Sequence, residues 1–206
     1  MLIAGPSMSG KSTIASNIIK NFFDTTTFDR NQLDVIIVSP SKFDIAQTEK
    51  VNVSIFKSFT KALESLKDDS LIVIDDMIFE LSNNEKLAGL FTKESHHRNI
   101  SVILLSQNVF FKSAVFRVVS LNCKYILLTK TVRDLTQIEM LGRQLFPRKQ
   151  KLFLEIFLMA TSEPYGYLLV DLTQSTDDQF RLRSKAIYGE SIKDCIAPII
   201  YKFRNV

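Results

Sequence analysis

The sequence has few of the features that mark secreted proteins, proteins stabilised by disulfides or zinc, or membrane proteins. Its 206 residues include two cysteines, Cys123 and Cys195, which are too few for a disulfide framework or, by themselves, a zinc site. No apolar run approaches the ~18 residues of a membrane-spanning helix, and the first residues lack the basic region and cleavage site of a signal peptide. We therefore expect an intracellular protein with no membrane-spanning segment, in which both cysteines are small buried or half-buried hydrophobes.

Linkers, internal repeats and low-complexity tracts are also missing, so the sequence shows no boundary between two large domains. With 46% hydrophobic and 23% charged residues, the chain has the composition of a globular protein. At this length folding can bury roughly 70% of the surface that the unfolded chain exposes. We expect one folded domain over residues 1–187 and a C-terminal tail, residues 188–206, that docks as a helix or binds a partner.

Seven short apolar runs, rich in Ile, Val and Leu, predict strands. They lack the alternation of half-exposed strands, which favours a parallel sheet covered by helices on both faces. The predicted strands are residues 2–4, 35–38, 53–56, 71–74, 101–105, 125–128 and 167–170. The predicted helices are residues 12–23, 59–66, 84–94, 135–145 and 151–159, and Ser82 with Glu85 predicts a capping box for the third of them. The alternation predicts an α/β fold with a mostly parallel central sheet.

Two of the six glycines stand in a motif that indicates a function. Residues 5–12 read Gly-Pro-Ser-Met-Ser-Gly-Lys-Ser, a full match to the phosphate-binding (Walker A) pattern between a predicted strand and a predicted helix. Glycines let the backbone curl so that successive N–H groups face phosphate oxygens, and the helix adds its positive N-terminal end. The residues predicted to hold a nucleotide are Gly5, Pro6, Ser7, Met8, Ser9, Gly10, Lys11, Ser12 and Thr13.

Within this loop two side chains have predicted roles of their own. Lys11 is expected to reach the β- and γ-phosphates, and the Ser12 hydroxyl to ligate Mg²⁺. Two adjacent carboxylates, Asp75 and Asp76, close the predicted strand at residues 71–74. Because Mg²⁺ prefers hard oxygen ligands and an attacking water needs a base, we assign Asp75 to the Mg²⁺ through water and Asp76 to polarising the water. The predicted ligands are therefore ATP and Mg²⁺.

Polar residues also follow the predicted strands at 101–105 and 125–128. Ligands bind at the C-terminal edge of open α/β sheets, so Gln107 is a candidate to sense the γ-phosphate or hold the attacking water, while Asn108 is expected to cap the next segment. Arg133 is predicted to open a helix and project toward a neighbouring subunit, where an arginine adds about 10³–10⁵ to the rate of phosphoryl transfer. Pairing of Arg133 with Asp134, or contact with DNA, is the alternative.

The net charge of +4 is unevenly distributed along the chain. Residues 93–151 carry 11 Lys and Arg against 3 Asp and Glu, so the whole positive excess lies in this segment. Such a segment either meets phosphate groups of a partner or forms a solvated basic surface.

The sequence resembles the FtsK–HerA superfamily in several of these segments. The similar stretches are Leu-Ile-Val-Ile-Asp-Asp at residues 71–76, residues 91–108 ending in Leu-Leu-Ser-Gln-Asn, residues 120–128, and Thr-Ser-Glu-Pro-Tyr-Gly-Tyr-Leu-Leu-Val-Asp at residues 161–171. The resemblance covers about residues 1–175 and is strongest to genome-packaging ATPases of poxvirus-like and adenovirus-like viruses and of Polinton or Maverick elements. At Asp76 the chain departs from the glutamate that is common in the superfamily.

This resemblance implies a three-layer P-loop NTPase of the additional-strand type. It further implies a ring-shaped homo-oligomer around double-stranded DNA, which drives the DNA into a capsid, with a capsid vertex protein as a partner, at the site of virion assembly. A ring of this kind grips the phosphate backbone without reading sequence. The basic residues assigned to DNA contacts are Lys112, Arg117, Arg148, Lys149 and Lys151.

Two alternatives stay open at this point. Residues 3–7 and 9–13 also look like the start of a guanylate-type nucleotide kinase, although no arginine-rich lid is evident between the predicted core elements. The third reading is a nucleotide-binding protein that does not hydrolyse its ligand.

Overall fold

The strands assemble into one mixed sheet. The computed structural model describes residues 1–22, 32–45, 49–187 and 198–203, and in them the sheet has nine strands in the order β3-β2-β4-β5-β1-β6-β7-β8-β9. The strands are β1 (Leu2–Ala4), β2 (Leu33–Val38), β3 (Val51–Phe56), β4 (Leu71–Asp75), β5 (Ser101–Ser106), β6 (Tyr125–Thr129), β7 (Tyr167–Asp171), β8 (Leu182–Ser184) and β9 (Ile199–Tyr201).

The type of strand pairing changes once across the sheet. Strands β1 to β6 pair in parallel, whereas β7, β8 and β9 continue the sheet in antiparallel pairing from β6 outward. Strand β5 lies between β1 and β4, so an additional strand separates the strand that precedes the glycine motif from the strand that ends in two aspartates. The predicted α/β class with a mostly parallel sheet is confirmed.

Helices cover both faces of the sheet. They are α1 (Lys11–Lys20), α2 (Phe59–Glu64), α3 (Ile78–Leu81), α4 (Glu85–Gly89), α5 (Ser95–His97), α6 (Ala114–Asn122), α7 (Thr136–Leu145) and α8 (Gln150–Ala160), with a π-helical turn at Leu90–Glu94. Side chains alternate across a strand, so Ile3 and Val73 pack on one face with α1, while Leu2 and Ile72 pack on the other with α2, α4, α6, α7 and α8. The sheet is therefore the middle of three layers.

The predicted capping box at Ser82 and Glu85 is wrong. Ser82 still has helical backbone angles at the end of α3, and its hydroxyl donates to the carbonyl of Phe79. Asn84 has extended backbone angles instead and accepts from the N–H of Lys86, which makes it the N-cap of α4. Helix α3 therefore ends before α4 begins, and the residue that caps α4 is Asn84, two residues later than predicted.

Helix α6 was not predicted, and neither were β8 and β9. The segment Ala114–Asn122 contains three valines, and β-branched residues lower helix propensity. Its N-cap is Ser113, whose hydroxyl accepts from the N–H of Phe116; that serine was the signal available in the sequence. The expected cap role of Asn108 is therefore wrong.

Burial on both faces does not hold for the predicted strand at 53–56. β3 is the edge strand of the sheet, and Ile55 within it is 51% exposed. An edge strand has a neighbour on only one side, so apolar content alone did not distinguish it from the buried strands.

Part of the predicted tail lies within the described residues. Ile199–Tyr201 form β9 and pair with β8, while residues 188–197 and 204–206, including Cys195, lie outside the described ranges. The division after residue 187 stays a prediction. Cys123 is buried, as expected. In the described ranges, no helix combines the length and apolar character needed to cross a bilayer.

Close packing of α7 against α8 yields a test of the fold. A Cβ at Gly142 would lie 2.7 Å from Cδ1 and 3.1 Å from Cβ of Phe153, a residue that is fully buried. We expect Gly142→Ala to lower the free energy of unfolding by about 1–2 kcal/mol in urea unfolding, since overpacking outweighs the gain in helix propensity.

Gly89→Ala is the matched control, because a Cβ at this helical glycine meets nothing within 4 Å. It should raise the free energy of unfolding by up to ~1 kcal/mol. A stabilisation of similar size in both variants would show that α7 and α8 are not packed as described.

Candidate functional site

The loop between β1 and α1 has the conformation that its glycines permit. Gly5 has φ +154° and Gly10 has φ +89°, and Met8 between them has φ +63°. A Cβ at Gly5 would lie 1.9 Å from Oγ1 of Thr129 on β6, and the N–H of Gly5 donates to the carbonyl of Ser106 at the end of β5 (3.1 Å). Glycine is therefore required at both ends of this loop, by close packing at the first and by backbone angle at the second.

Thr129 supports the loop from below, although the sequence offered no signal for it. Its Oγ1 lies 2.7 Å from Oγ of Ser9 and 3.3 Å from the carbonyl oxygen of Ala4. Thr129 is buried and is 120 residues away from Ser9 in the chain. Only the pairing of β1 with β6 brings the two hydroxyls together.

Lys11 lies across its own loop. Its Nζ donates to the carbonyls of Gly5 and Pro6, at 2.8 Å each. Burial lowers the pKa of Lys11 below its ordinary value, and the nearby carboxylates of Asp75 and Asp76 oppose that shift. Engagement of a phosphate by Lys11 therefore means exchanging two carbonyl acceptors for phosphate oxygens, which carry full charge and bind an ammonium more strongly.

The first predicted magnesium pair is assembled in the structure. Oγ of Ser12, in the first turn of α1, donates to Oδ2 of Asp75, at the end of β4, over 3.3 Å. Burial is the main cause of the raised pKa of Asp75; Asp76 raises it further, while the Ser12 hydrogen bond and Lys11 lower it. A carboxylate held in an apolar setting beside a hydroxyl gains from a divalent cation that would favour its charged form.

These two residues fit Mg²⁺ by the chemistry of their oxygen donors. Among the described residues no group of three His, Cys, Asp or Glu side chains forms a metal site. Mg²⁺ in nucleotide sites is held by one or two protein oxygens and takes its other ligands from phosphates and water. Ser12 and Asp75 are that kind of partial site.

Asp76 and Gln107, each a separate candidate for acting at the attacking water, also contact each other. Nε2 of Gln107, one residue past β5, donates to Oδ1 of Asp76, one residue past β4, over 3.2 Å. Asp76 has φ +52°, a left-handed conformation that residues with a Cβ adopt at a cost and that is concentrated at functional sites. The backbone turn after β4 therefore directs adjacent carboxylates to different partners, Asp75 to Ser12 and Asp76 to Gln107.

A cleft of about 210 Å³ lies between the ends of β5 and β6. Its lining includes the start of the loop at residues 5–7 together with Gln107 and Arg133. Arg133 is exposed and lies in the connection before α7, which begins at Thr136. The structure thus brings Arg133 to the rim of the cleft beside its own phosphate-binding loop.

Gln137 is a second residue of this cleft that the sequence analysis missed. Its Oε1 accepts from the N–H of Val109 at 2.9 Å, and its Nε2 donates to Asn108 at 3.1 Å and to Asp134 at 2.6 Å. One amide side chain therefore joins the connection after β5 to the connection after β6. In this structure Asp134 is a partner of Gln137.

The five basic residues assigned to DNA fall into two groups. Lys112, in the connection after Gln107, and Arg117, on α6, are exposed and follow Phe111 and Phe116 in the sequence. The ring centroids of Phe79 and Phe111 are 5.7 Å apart, and those of Phe111 and Phe116 are 5.3 Å apart. The other three lie where α7 joins α8: Arg148, Lys149 and Lys151. Lys149 Nζ lies 5.1 Å above the ring of Phe203, which ties that group to the C-terminal part of the sheet.

The strand order and the constellation at the ends of β1, β4 and β5 define the fold of a P-loop ATPase with an additional strand. The three-layer P-loop fold with an additional strand, which the resemblance implied, is confirmed. No protein-family model matches the chain, and a comparison with curated protein sequences found no match. The similarity of this chain to known proteins is therefore found by comparison with solved structures.

Similar solved structures come from a virus and from a secretion system. The genome packaging NTPase B204 from Sulfolobus turreted icosahedral virus 2, in complex with sulfate, is 15% identical with a TM-score of 0.56, and the match covers 85% of this chain and 92% of that one. The same protein in complex with ATP-gammaS is 16% identical with a TM-score of 0.55, over 85% and 93%. The cytoplasmic domain of the type VII secretion ATPase EccC from Thermomonospora curvata is 13% identical with a TM-score of 0.51, over 88% of this chain and 26% of that one.

Burial of Asp75 leads to a prediction about stability. The pKa of Asp75 is raised above its ordinary value of 3.8, so the folded state holds this proton more tightly than the unfolded state does. The free energy of unfolding therefore falls as the pH rises from about 3.8 through the raised pKa, and the loss persists above it. Asp75→Asn removes this loss, and we expect a higher melting temperature than wild type for the nucleotide-free protein at pH 7.

The advantage should shrink as the pH is lowered and should vanish below about 3.8, where Asp75 becomes protonated in both states. Ser12→Ala is the matched control: it removes the hydrogen bond that favours the charged carboxylate and should bring no stabilisation. Thermal unfolding of both variants at several pH values decides the matter. A melting temperature of Asp75→Asn that stays below that of wild type across this range would show that the charged carboxylate stabilises the fold.

Proposed function

We propose that the chain is an ATPase that moves double-stranded DNA into a viral or virus-like capsid. The observation that carries the proposal is the contact between Ser12 and Asp75, 3.3 Å apart, beside the contact between Asp76 and Gln107. These four side chains come from three separate segments of the chain and meet at the N-terminus of α1. The fold shared with B204, a genome packaging NTPase, supports the packaging role.

Each residue of the site has a place in the proposed hydrolysis. Lys11 binds the β- and γ-phosphates, and the N–H groups of residues 5–13 surround them. Ser12 would ligate Mg²⁺ and Asp75 would hold the ion through water; bound there, Mg²⁺ would supply positive charge that offsets the charge developing on the phosphate oxygens. Asp76 takes a proton from the attacking water and Gln107 orients that water; their separation of 3.2 Å lets both side chains reach one water molecule.

Arg133 is proposed to supply positive charge near the γ-phosphate. Its position on the rim of the cleft that contains residues 5–7 and Gln107 supports this role. In the ring-shaped homo-oligomer that the resemblance implies, this exposed side chain would instead act on the nucleotide of a neighbouring subunit. An arginine of this kind stabilises the charge on the transferred phosphoryl group.

The basic groups are proposed to hold the DNA backbone. Lys112 and Arg117 are exposed and follow Gln107 in the chain by a single connection. Gln107 itself contacts Asp76, so a change at the γ-phosphate can move this connection. Phosphate contacts of Lys and Arg carry no sequence information, which suits a protein that must move any genome sequence, at the site of virion assembly inside the host cell.

The kinase alternative receives less support. In this chain β5 lies between β4 and β1, and its end places Gln107 beside Asp76. A kinase would need a pocket for a second nucleotide in place of this water-orienting amide. One measurement, the turnover of ATP, distinguishes the proposed ATPase from a protein that binds a nucleotide without hydrolysing it.

Replacement of Asp76 tests the proposed chemistry. Asp76→Asn should keep ATP bound with wild-type affinity and lower the rate of ATP hydrolysis by about 10²–10⁴, because loss of a general base removes that much. Lys11→Ala is the comparison and should lose ATP binding itself. Binding is measured by calorimetry and turnover by phosphate release, with and without double-stranded DNA.

An Asp76→Asn protein that no longer binds Mg²⁺-ATP would show that the two aspartates have exchanged roles. Transfer of phosphate to added GMP by the wild type would support the kinase. Sizing of the protein with a non-hydrolysable ATP analogue shows in the same preparations whether the ring forms.

DNA binding should depend steeply on salt. Each phosphate contact adds about 0.9 to the slope of log K against log salt concentration, so the double variant Lys112→Ala/Arg117→Ala should reduce that slope by about 2. Lys57→Ala/Lys61→Ala is the matched control, with two exposed lysines outside the basic segment, and should leave the slope unchanged. A slope near zero for the wild type would remove the case for DNA as the partner.

A further inference from the structure

Tyr165 presents an exposed aromatic ring directly beside the phosphate-binding loop. The residue is 69% exposed, yet a Cβ at Gly10 would lie 3.2 Å from Cδ1 of Tyr165 and 3.8 Å from its Cβ. The ring therefore lies against the backbone at the N-terminus of α1 and leaves most of its surface in solvent. Its exposed surface is unused by the core, and the chemistry assigned above makes no use of it.

The turn that carries Tyr165 is anchored on both sides. The N–H of Gly166 donates to the carbonyl of Glu163 at 3.1 Å, and the N–H of Lys130 donates to the carbonyl of Gly166 at 3.2 Å. Nζ of Lys130 also donates to the carbonyl of Ser162 at 2.9 Å. Tyr165 itself has φ +59°, a conformation that residues with a Cβ rarely adopt. Lys130, which follows β6, thus holds the backbone of the turn that carries the ring.

Strand order places this ring on the side of the loop opposite the catalytic carboxylates. Asp75, Asp76 and Gln107 come from the ends of β4 and β5, on one side of β1. Tyr165 precedes β7, which lies beyond β6 on the other side of β1. A triphosphate whose γ-phosphate faces the carboxylates therefore directs its nucleoside end toward Tyr165.

We propose that Tyr165 stacks on the base of the bound nucleoside triphosphate. The inference rests on the proposed nucleotide binding and adds the residue that receives the base. A stacked ring contacts the π-face that every base has and reads no hydrogen-bonding edge. The platform should therefore hold ATP and GTP about equally and both more tightly than pyrimidine nucleotides, whose rings are smaller.

The test compares ligands with and without a base. Calorimetry with Mg²⁺-ATP and with Mg²⁺-tripolyphosphate is carried out on the wild type, Tyr165→Phe and Tyr165→Asn; asparagine tolerates the left-handed backbone. Tyr165→Asn should weaken ATP binding roughly 5- to 150-fold and leave tripolyphosphate binding unchanged. Tyr165→Phe keeps the ring and should bind both ligands as the wild type does.

Two further variants control the experiment. Phe180→Asn removes another partly exposed ring. Phe180 precedes β8, which β6 and β7 separate from β1, so this variant should not change the affinity for ATP. The chain has no tryptophan, so Tyr165→Trp introduces a single indole fluorophore. Its emission should change on addition of ATP and not on addition of tripolyphosphate.

The outcomes separate this inference from the proposed function. A wild type that binds neither ligand would overturn the proposed function itself. If tripolyphosphate binds and Tyr165→Asn leaves the ATP affinity intact, the phosphate site stands and base stacking is refuted. An equal loss of ATP and tripolyphosphate in Tyr165→Asn also refutes stacking, because the ring would then act by shaping the loop.

Discussion

The hydrogen bond between Ser12 and Asp75 is the contact on which the site depends. It connects the first turn of α1 to the end of β4. Strand β1, which leads into α1, is not a neighbour of β4 in the sheet. β5 separates them, so the register of β1 with β5 and of β5 with β4 must be correct for the hydroxyl and carboxylate to meet. A slip of one residue in the pairing of β4 with β5 would turn Asp75 to the other face of the sheet, and a slip in the pairing of β1 with β5 would shift the start of α1 relative to Asp75. The parallel core therefore serves the site by holding strand ends level.

This arrangement places groups in conditions that lower the stability of the folded state. Burial disfavours the charged forms of Lys11 and Asp75, and Met8, Asp76 and Tyr165 have left-handed backbone angles. The apolar strands around them offset these costs, because Ile3, Ile74 and Leu105 are fully buried. A triphosphate and its cation would relieve the electrostatic part, since they supply partners for both buried charges.

The connections after the strands link the site to the rest of the molecule. Gln107 joins the connection after β5 to that after β4, and Gln137 joins it to the connection after β6. The exposed residues Lys112 and Arg117 continue from the same connection into α6. Hydrogen bonds thus run from the carboxylates to the basic segment through three adjacent loops. In the proposed function, these contacts link the phosphate site to the residues assigned to DNA.

The sequence by itself determined the elements whose signals are local. The glycine motif predicted the loop and α1, the apolar runs predicted β1, β4, β5 and β6 within a residue or so, and the terminal carboxylate Asp75 was predicted to share a site with Ser12, which it contacts; that the two hold Mg²⁺ stays a prediction. These succeed because glycine angles, strand burial and a terminal carboxylate are properties of short segments. Helix α6, the antiparallel strands β8 and β9, and the edge position of β3 did not follow. Their segments have weak propensity or equal apolar content, and packing decides among the possibilities.

Only the tertiary structure decided which distant residues serve the site. Thr129 lies under the loop, Gln137 bridges two connections and Tyr165 lies against Gly10. Each is an ordinary residue in its local sequence and becomes significant because strand order brings it to the C-terminal edge beside β1. Spatial neighbourhood in a sheet is set by pairing between segments far apart in the chain. A local sequence pattern does not show which distant strands pair. The hydrogen bonds of the folded sheet determine that pairing.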